Sequence, residues 1–144
     1  MATDRKAEVT WHGDLMNGSG TIDSVTSGAL PALPVSWPSR AEEPNGKTSP
    51  EELIAAAWAS CFSMALSAGL ARGGNPPEKL ETSATVTLQP GEGIIRGALT
   101  VRGTVPGLDA DGFREAAEGA KANCPVSKAL AGIPDVTLTA ELAS

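Results

Sequence analysis

SPEELIAAAWASCFSMALSAGLARGG, residues 49–74, is the stretch that decides the fold. Ser49 suits the N-cap of a helix, Pro50 suits its first position, and Glu52 stands where a capping box places a carboxylate. The apolar pattern then continues without a break until Gly73, a residue that commonly ends a helix. The segment therefore predicts one long helix.

The middle of this helix raises the question of a membrane. An uncharged run of 19 residues extends from Leu53 to Ala71, and about 20 apolar residues span a bilayer. Ala, Ser and Gly dominate the run, however, so it is only mildly hydrophobic and suited to close packing. We expect a helix packed within a protein rather than in a membrane.

Short strands are predicted upstream of the helix, over residues 6–12 and 20–26, where β-branched residues stand between Gly-rich turns. Asn17-Gly18 is the expected hairpin turn. The prolines at positions 34, 38 and 44 predict that residues 33–46 form no regular element. This stiff, partly extended loop carries Arg40.

A second hairpin is predicted downstream, because residues 80–89 and 93–105 alternate in the manner of strands and are joined at Gly91-Glu92-Gly93. Either Asp109 or Asp111 then caps a second helix that runs to about residue 122.

A short third helix is expected to open at Cys124-Pro125 and to end near Gly132, and a last strand covers residues 136–142. Strands in runs and helices in runs indicate an α+β fold with antiparallel sheet. A chain of 144 residues with 41% hydrophobic content fits a single domain over residues 1–144.

Composition excludes several function classes. The net charge of −6 and the pI near 4.7 argue against nucleic acid as a partner. The first eight residues are polar, so we expect no signal peptide and a cytoplasmic location.

Two cysteines 63 positions apart with one histidine, His12, lack the spacing of a metal site. We expect neither a metal nor another cofactor, and His12 is expected to be structural or exposed.

Cys61 is the best candidate for a reactive group, although two interpretations stand at this point. A cysteine in an apolar helix is often a small core residue. A nucleophilic Cys61 would need a nearby cation to favour its thiolate, and Arg40 is the most plausible one. Arg40 would also have to stabilise charge on a leaving oxygen, with Glu51 holding its guanidinium in place.

Distance constrains how these residues could meet. Cys61 follows Glu51 by ten positions, which is a rise of about 15 Å in a straight helix. Either Arg40 and its loop close that gap, or the Glu51 end of a partner subunit's helix lies beside Cys61. We favour a site at a dimer interface.

Cys124 offers a second thiol, since a helix N-terminus favours its thiolate. Attack of Cys61 on a peroxide would leave a sulfenic acid, and a second thiol nearby would convert that acid to a disulfide. We therefore expect Cys124 to resolve an oxidised Cys61.

The chain resembles the OsmC/Ohr family. The resemblance rests on the segments SPEELIAAA (49–57), CFSMALS (61–67) and CPVSKAL (124–130), with WHG at 11–13 and Arg40. It covers nearly the whole chain, and the CPVSKAL segment is similar to the osmotically induced OsmC branch rather than to the Ohr branch.

The resemblance implies a thiol-dependent peroxidase that reduces organic hydroperoxides, and hydrogen peroxide less well. It implies that Cys61 is the peroxidatic thiol, that Cys124 is the resolving thiol, and that Arg40 and Glu51 form a salt-bridged pair in the active site. It further implies an intertwined homodimer, with antiparallel sheets wrapped around long central helices and active sites at the interface. The oxidised enzyme would be reduced again by a dithiol such as a dihydrolipoyl protein.

The aromatic composition limits which residues could line a substrate pocket. With no tyrosine and only two phenylalanines, an aromatic lining of the substrate pocket would have to come from Trp58, Trp37 or Phe62.

Two other functions compete with the peroxidase. One is a redox-sensing or small-ligand-binding dimer of the same fold, and the other is a structural stress protein. In both, Cys61 is a packed core residue.

Overall fold

The computed structural model describes residues 1–143, which fall into two compact units, Met1–Leu53 and the remainder of the chain from Ile54. Each unit holds a three-stranded sheet. The α+β class is confirmed, whereas the single domain over residues 1–144 stays a prediction.

The first unit is built on an antiparallel sheet in the order β1-β2-β3. Both predicted strands are confirmed to within one residue. Asn17 and Gly18 form the predicted turn, because the side chain and the carbonyl of Asp14 accept their backbone N–H groups at 2.8 and 2.9 Å. The strands are β1 (Ala7–His12), β2 (Ser19–Val25) and β3 (Leu33–Val35).

The prediction that residues 33–46 form no regular element is wrong. β3 lies at the edge of the sheet, where Pro34 can be accommodated without an N–H group. Helix α1 (Trp37–Ala41) follows, with Ser36 as its N-cap and Pro38 in its first turn. Proline is compatible with that turn because the first N–H groups of a helix have no partner within it. Arg40 therefore lies on a short helix rather than on a loop.

Helix α2 (Pro50–Arg72) matches the predicted long helix. The Ser49 hydroxyl accepts the backbone N–H of Glu52 at 3.1 Å. The Glu52 carboxylate accepts from the Thr48 hydroxyl at 3.0 Å, so only one half of the expected capping box forms. At the other end, Gly74 adopts a φ of 89° and Asn75 N–H bonds to the Leu70 carbonyl, which closes a Schellman motif.

The remaining elements of the second unit follow the predicted order, and Asp109 rather than Asp111 is the N-cap of the next helix. One strand differs from expectation. β6 runs parallel to its neighbour β5, because the chain crosses between them through two helices. The elements are β4 (Lys79–Gln89), β5 (Gly93–Thr104), α3 (Ala110–Asn123), α4 (Pro125–Ala129) and β6 (Asp135–Leu142).

The core of the second unit forms where one face of α2 meets β5 and α3. Four α2 residues at intervals of four are buried, in the spacing that places side chains on one helix face. They are Trp58, Phe62, Leu66 and Leu70, and they pack with Leu99, Val101, Phe113 and Ala117.

Within residues 1–143, α2 is the one helix that is long and apolar enough to cross a membrane, with a mean hydropathy of 1.7 over its most apolar window. Core helices of soluble proteins have the same property. One face of α2 packs against β5 and α3, and 22% of its most apolar window is buried.

Gly103 on β5 makes this packing possible, because a Cβ atom there would overlap the ring of the fully buried Phe113. We expect Gly103→Ala to lower the free energy of unfolding by about 1–3 kcal/mol through overpacking. Gly119→Ala is the matched control, since Gly119 lies on α3 and a Cβ atom added there would have no heavy atom within 4 Å. That change should raise stability by about 0.5–1 kcal/mol. Urea unfolding of both variants checks this, and equal midpoints would contradict it.

Candidate active site

The first unit holds a two-point ion pair between α1 and the start of α2. Arg40 donates from Nε and Nη2 to the Glu51 carboxylate, with the shortest contact, Nη2 to Oε1, at 2.7 Å. Glu51 is buried, with 7% of its surface exposed, and the Arg40 side chain is one third exposed. The predicted pairing of Arg40 with Glu51 is therefore present, and within residues 1–143 it leaves Arg40 Nη1 for another acceptor.

An aromatic ring and a small apolar cavity lie beside this ion pair. The Arg40 guanidinium carbon is 5.9 Å from the centroid of the Trp37 ring, within the range of a cation–π contact. The cavity has a volume of about 200 Å³ and its lining includes Trp11, Leu15, Trp37 and Arg40. Of the aromatic residues considered from sequence, Trp37 lines a cavity, whereas Trp58 and Phe62 are core residues.

The second unit brings together the two cysteines. Cys61 on α2 and Cys124 at the N-cap of α4 are free thiols, close enough that each shifts the pKa of the other. Cys124 is fully buried, whereas Cys61 is partly exposed. A peroxide could therefore reach Cys61 more easily than Cys124, which fits the order of reaction predicted from sequence.

The two thiols have unequal acidity. Burial, and then the hydrogen bond that the Cys61 thiol donates to the Cys124 sulfur, raise the pKa of Cys61 above its ordinary value. Burial also acts to raise the pKa of Cys124, but hydrogen bonds from Cys61, Ser127 and Val126 outweigh it and lower that pKa. The pKa of Cys61 is therefore raised and that of Cys124 lowered, and the two thiols titrate as a pair.

Sequence reasoning did not single out Ser127. Its hydroxyl accepts the indole N–H of Trp58 at 2.8 Å, across 69 positions of the chain, and Ser127 is near enough to Cys124 to lower the pKa of that thiol. A signal for the second contact existed in the sequence, since Ser127 follows Cys124 by three residues in the first turn of a helix. Nothing in the sequence pairs Ser127 with Trp58.

The described residues thus contain two of the predicted pairs, Arg40 with Glu51 in the first unit and Cys61 with Cys124 in the second. His12 lies on the exposed strand β1, as expected. Within residues 1–143, no cluster of three or more His, Cys, Asp or Glu side chains could hold a metal ion. Fold and thiol pair together define a small α+β protein of the thiol-dependent redox class.

Comparison with known proteins specifies the family. The pattern of the family described as OsmC-like protein matches residues 43–139. The chain is 42% identical to the peroxiredoxin OsmC of Escherichia coli (strain K12), over the full length of both proteins. It is 36% identical to an organic hydroperoxide resistance protein of Xanthomonas axonopodis pv. citri (strain 306), over 64% of this chain and 66% of that protein.

A solved structure agrees with this assignment. The organic hydroperoxide resistance protein OsmC of Legionella pneumophila superposes with a TM-score of 0.71 at 27% identity, over 94% of this chain and 96% of that one. The chain belongs to the OsmC-like family. It is an enzyme of the thiol-dependent peroxidase type, which confirms the class predicted from sequence.

Proposed function

We propose that this protein reduces organic hydroperoxides to alcohols, and hydrogen peroxide less well, through Cys61 and Cys124. The observation that carries the proposal is a pair of free thiols of unequal exposure, close enough that each shifts the pKa of the other. The names of the relatives from Escherichia coli and Xanthomonas axonopodis support the same chemistry.

In the first step, the Cys61 sulfur attacks the terminal oxygen of the peroxide. The O–O bond breaks, Cys61 is oxidised to a sulfenic acid, and the other oxygen leaves as an alkoxide that takes up a proton to become the alcohol. The Cys61 thiol supplies this proton, which we propose passes through the neighbouring Cys124 sulfur, whose pKa lies below its ordinary value. Cys124 would then act as a general base for its neighbour.

In the second step, the Cys124 sulfur attacks the oxidised sulfur of Cys61. The S–O bond breaks, the hydroxyl leaves as water with a proton, and a disulfide joins the two residues. An external dithiol, such as a dihydrolipoyl group, then reduces this disulfide and is itself oxidised to a disulfide. The fully buried position of Cys124 supports this order, because it favours attack by Cys124 within the protein over attack on bulk peroxide.

We further propose that the protein acts as an intertwined homodimer in the cytoplasm, in which Arg40 and Glu51 of one subunit complete the site at Cys61 of its partner. Exposed large apolar side chains in both units support a second copy. All residues of β1 are exposed, Trp11 among them, and Met64 on the outer face of α2 is 71% exposed.

The function is tested with the purified protein, tert-butyl hydroperoxide, and either dihydrolipoamide or glutathione as reductant. We expect continuous turnover, faster with the dithiol, since a dithiol closes its own disulfide within one molecule. After one equivalent of peroxide, peptide mapping should find a disulfide between Cys61 and Cys124. Slow oxidation that stops after one equivalent, even with dithiol present, would contradict the proposal and favour the redox-sensing or ligand-binding alternative.

A mixing experiment tests the shared site. Arg40→Ala and Cys61→Ser are each expected to be inactive alone. Co-expressed as a heterodimer, they should recover activity, because one interface then combines an intact Arg40 from one subunit with an intact Cys61 from the other. A heterodimer as inactive as its parents would show that Arg40 acts only on the Cys61 of its own chain.

A further inference from the structure

One wall of the cavity beside Arg40 is an indole ring that the backbone holds in place. Trp11 on β1 pairs with Gly20 on β2, and a Cβ atom added at Gly20 would be 2.6 Å from the Trp11 ring. A Cβ atom added at Gly18 would be 3.0 Å from the same ring. The indole N–H donates to the Gly13 carbonyl at 2.9 Å. The ring is therefore fixed against two glycines with its donor satisfied, although 40% of Trp11 is exposed.

Most of the remaining lining is apolar and belongs to the same unit of the chain. It is formed by a second indole and by three aliphatic side chains, which are Trp37, Leu15, Val35 and Pro50. Aromatic rings attract one another in offset-stacked and edge-to-face arrangements. Two indoles in one lining therefore favour a ligand that carries an aromatic ring.

The polar groups of the lining restrict where an oxygen atom of the ligand could bind. Its two hydroxyl groups already have partners, since Ser36 pairs with Ser39 at 2.9 Å and Thr48 donates to Glu52 at 3.0 Å. Arg40 also lines the cavity, and its Nη1 has no acceptor within residues 1–143. The cavity thus suits an apolar group that bears an oxygen atom at the end facing Arg40.

The volume of the cavity sets the size of that group. Its volume is about 200 Å³, whereas a cavity of about 150 Å³ holds benzene in another protein. Sites for drug-sized ligands begin at about 300 Å³. The cavity therefore has room for one aromatic ring with small substituents.

We propose that this cavity binds the organic group of the hydroperoxide, that it selects compact aromatic groups over small branched alkyl groups, and that Trp11 is the residue that determines this specificity. The selection of a substrate rests on the proposed function, whereas the binding of a compact aromatic molecule does not. If Trp11 only packed on the sheet, its loss would not change the affinity for such a molecule.

The test uses the alcohol products, so that binding is measured without turnover. Cumyl alcohol and tert-butyl alcohol differ by a phenyl ring in place of a methyl group. In saturation-transfer NMR titrations of the wild type, we expect cumyl alcohol to bind about tenfold more tightly. Trp11→Ala should weaken the binding of cumyl alcohol by about tenfold and that of tert-butyl alcohol by less than about twofold, and Trp11→Phe should keep most of the affinity.

Gly20→Ala tests the position of the ring rather than its presence. The added Cβ atom would displace the Trp11 ring, so the affinity for cumyl alcohol should fall as it does in Trp11→Ala. Circular dichroism of each variant verifies that the fold is retained.

Leu30→Ala is the matched control, because Leu30 is a large apolar residue of the same unit with a similar exposure, 39%, and does not line the cavity. Its affinity for both alcohols should equal that of the wild type. Equal affinities of the wild type for the two alcohols would overturn the inference, as would the absence of binding or an equal loss in Trp11→Ala and Leu30→Ala.

A kinetic measurement separates this inference from the proposed function. The ratio of kcat/KM for cumene hydroperoxide to that for tert-butyl hydroperoxide should fall by about tenfold in Trp11→Ala. A protein that binds cumyl alcohol as expected but reduces neither hydroperoxide would disprove the proposed function and leave the aromatic binding site standing. An active enzyme whose ratio does not change in Trp11→Ala would disprove the role of Trp11 in specificity.

Discussion

Cys61→Ser is expected to abolish turnover of tert-butyl hydroperoxide with every reductant, a loss of at least about 10⁴-fold. A serine hydroxyl is not ionised at neutral pH and does not form the sulfenic acid on which the cycle depends. The hydroxyl is close to the thiol in size, and Cys61 lies at the margin of the core, so the fold should be retained. Peroxide consumption and a thermal unfolding curve measured on the same sample separate chemistry from stability.

Cys124→Ser serves as the comparison for this experiment, because it removes the second sulfur and leaves the first. With dihydrolipoamide the cycle should slow strongly, since no internal disulfide can form. With a monothiol, part of the activity should remain. It should be about 10²-fold lower than that of the wild type with the same monothiol if Cys124 also serves as the base for Cys61. If the wild type and Cys61→Ser consume peroxide at the same rate, Cys61 is a core residue and the peroxidase mechanism given above is wrong.

Arg40→Lys is expected to lower kcat/KM for hydroperoxides by about 10²–10³-fold, while keeping the charge. Lysine offers a single ammonium where Arg40 offers a planar fork, two nitrogens of which contact the Glu51 carboxylate. The nitrogen that remains, Nη1, is the donor we assign to the leaving oxygen of the peroxide. The pair is partly buried, so a decrease in stability of about 1–3 kcal/mol should accompany the change.

Arg96→Lys is the matched control, because Arg96 pairs with Asp135 through Nε at 3.2 Å and both side chains are more than half exposed. Such a surface pair contributes about 0–1 kcal/mol, and no role in the reaction is assigned to it. Full activity in both lysine variants would show that the fork geometry of Arg40 does not contribute to catalysis.

Local signals in the sequence predicted much of the fold. The start of α2 could be read from Ser49 and Pro50, and its end from Gly73, because caps are chemical features of a few adjacent residues. The prediction for residues 33–46 is wrong because the effect of a proline depends on its position within the element. Proline is excluded from the interior of a helix and from central strands, and here Pro34 lies on an edge strand and Pro38 in a first helical turn.

The residues of the candidate site could be predicted from sequence, whereas one strand pairing in the second unit could not. Cys61, Cys124, Arg40 and Glu51 could be chosen from sequence, because their chemistry and the family resemblance both point to them. The parallel pairing of β6 with β5 could not, since both pairings use the same alternation of side chains and only the crossover through α3 and α4 decides between them.

The sequence by itself determined the long helix, the α+β class and the family, and it singled out the two thiols, because each depends on residue type and on spacing along the chain. Only the tertiary structure decided which sulfur is buried and which is partly exposed, and that the surroundings of Cys124 lower its pKa. It also decided that Trp58 meets Ser127 across 69 positions. These properties arise from burial and from hydrogen bonds between distant segments, and such contacts exist only once the core has packed.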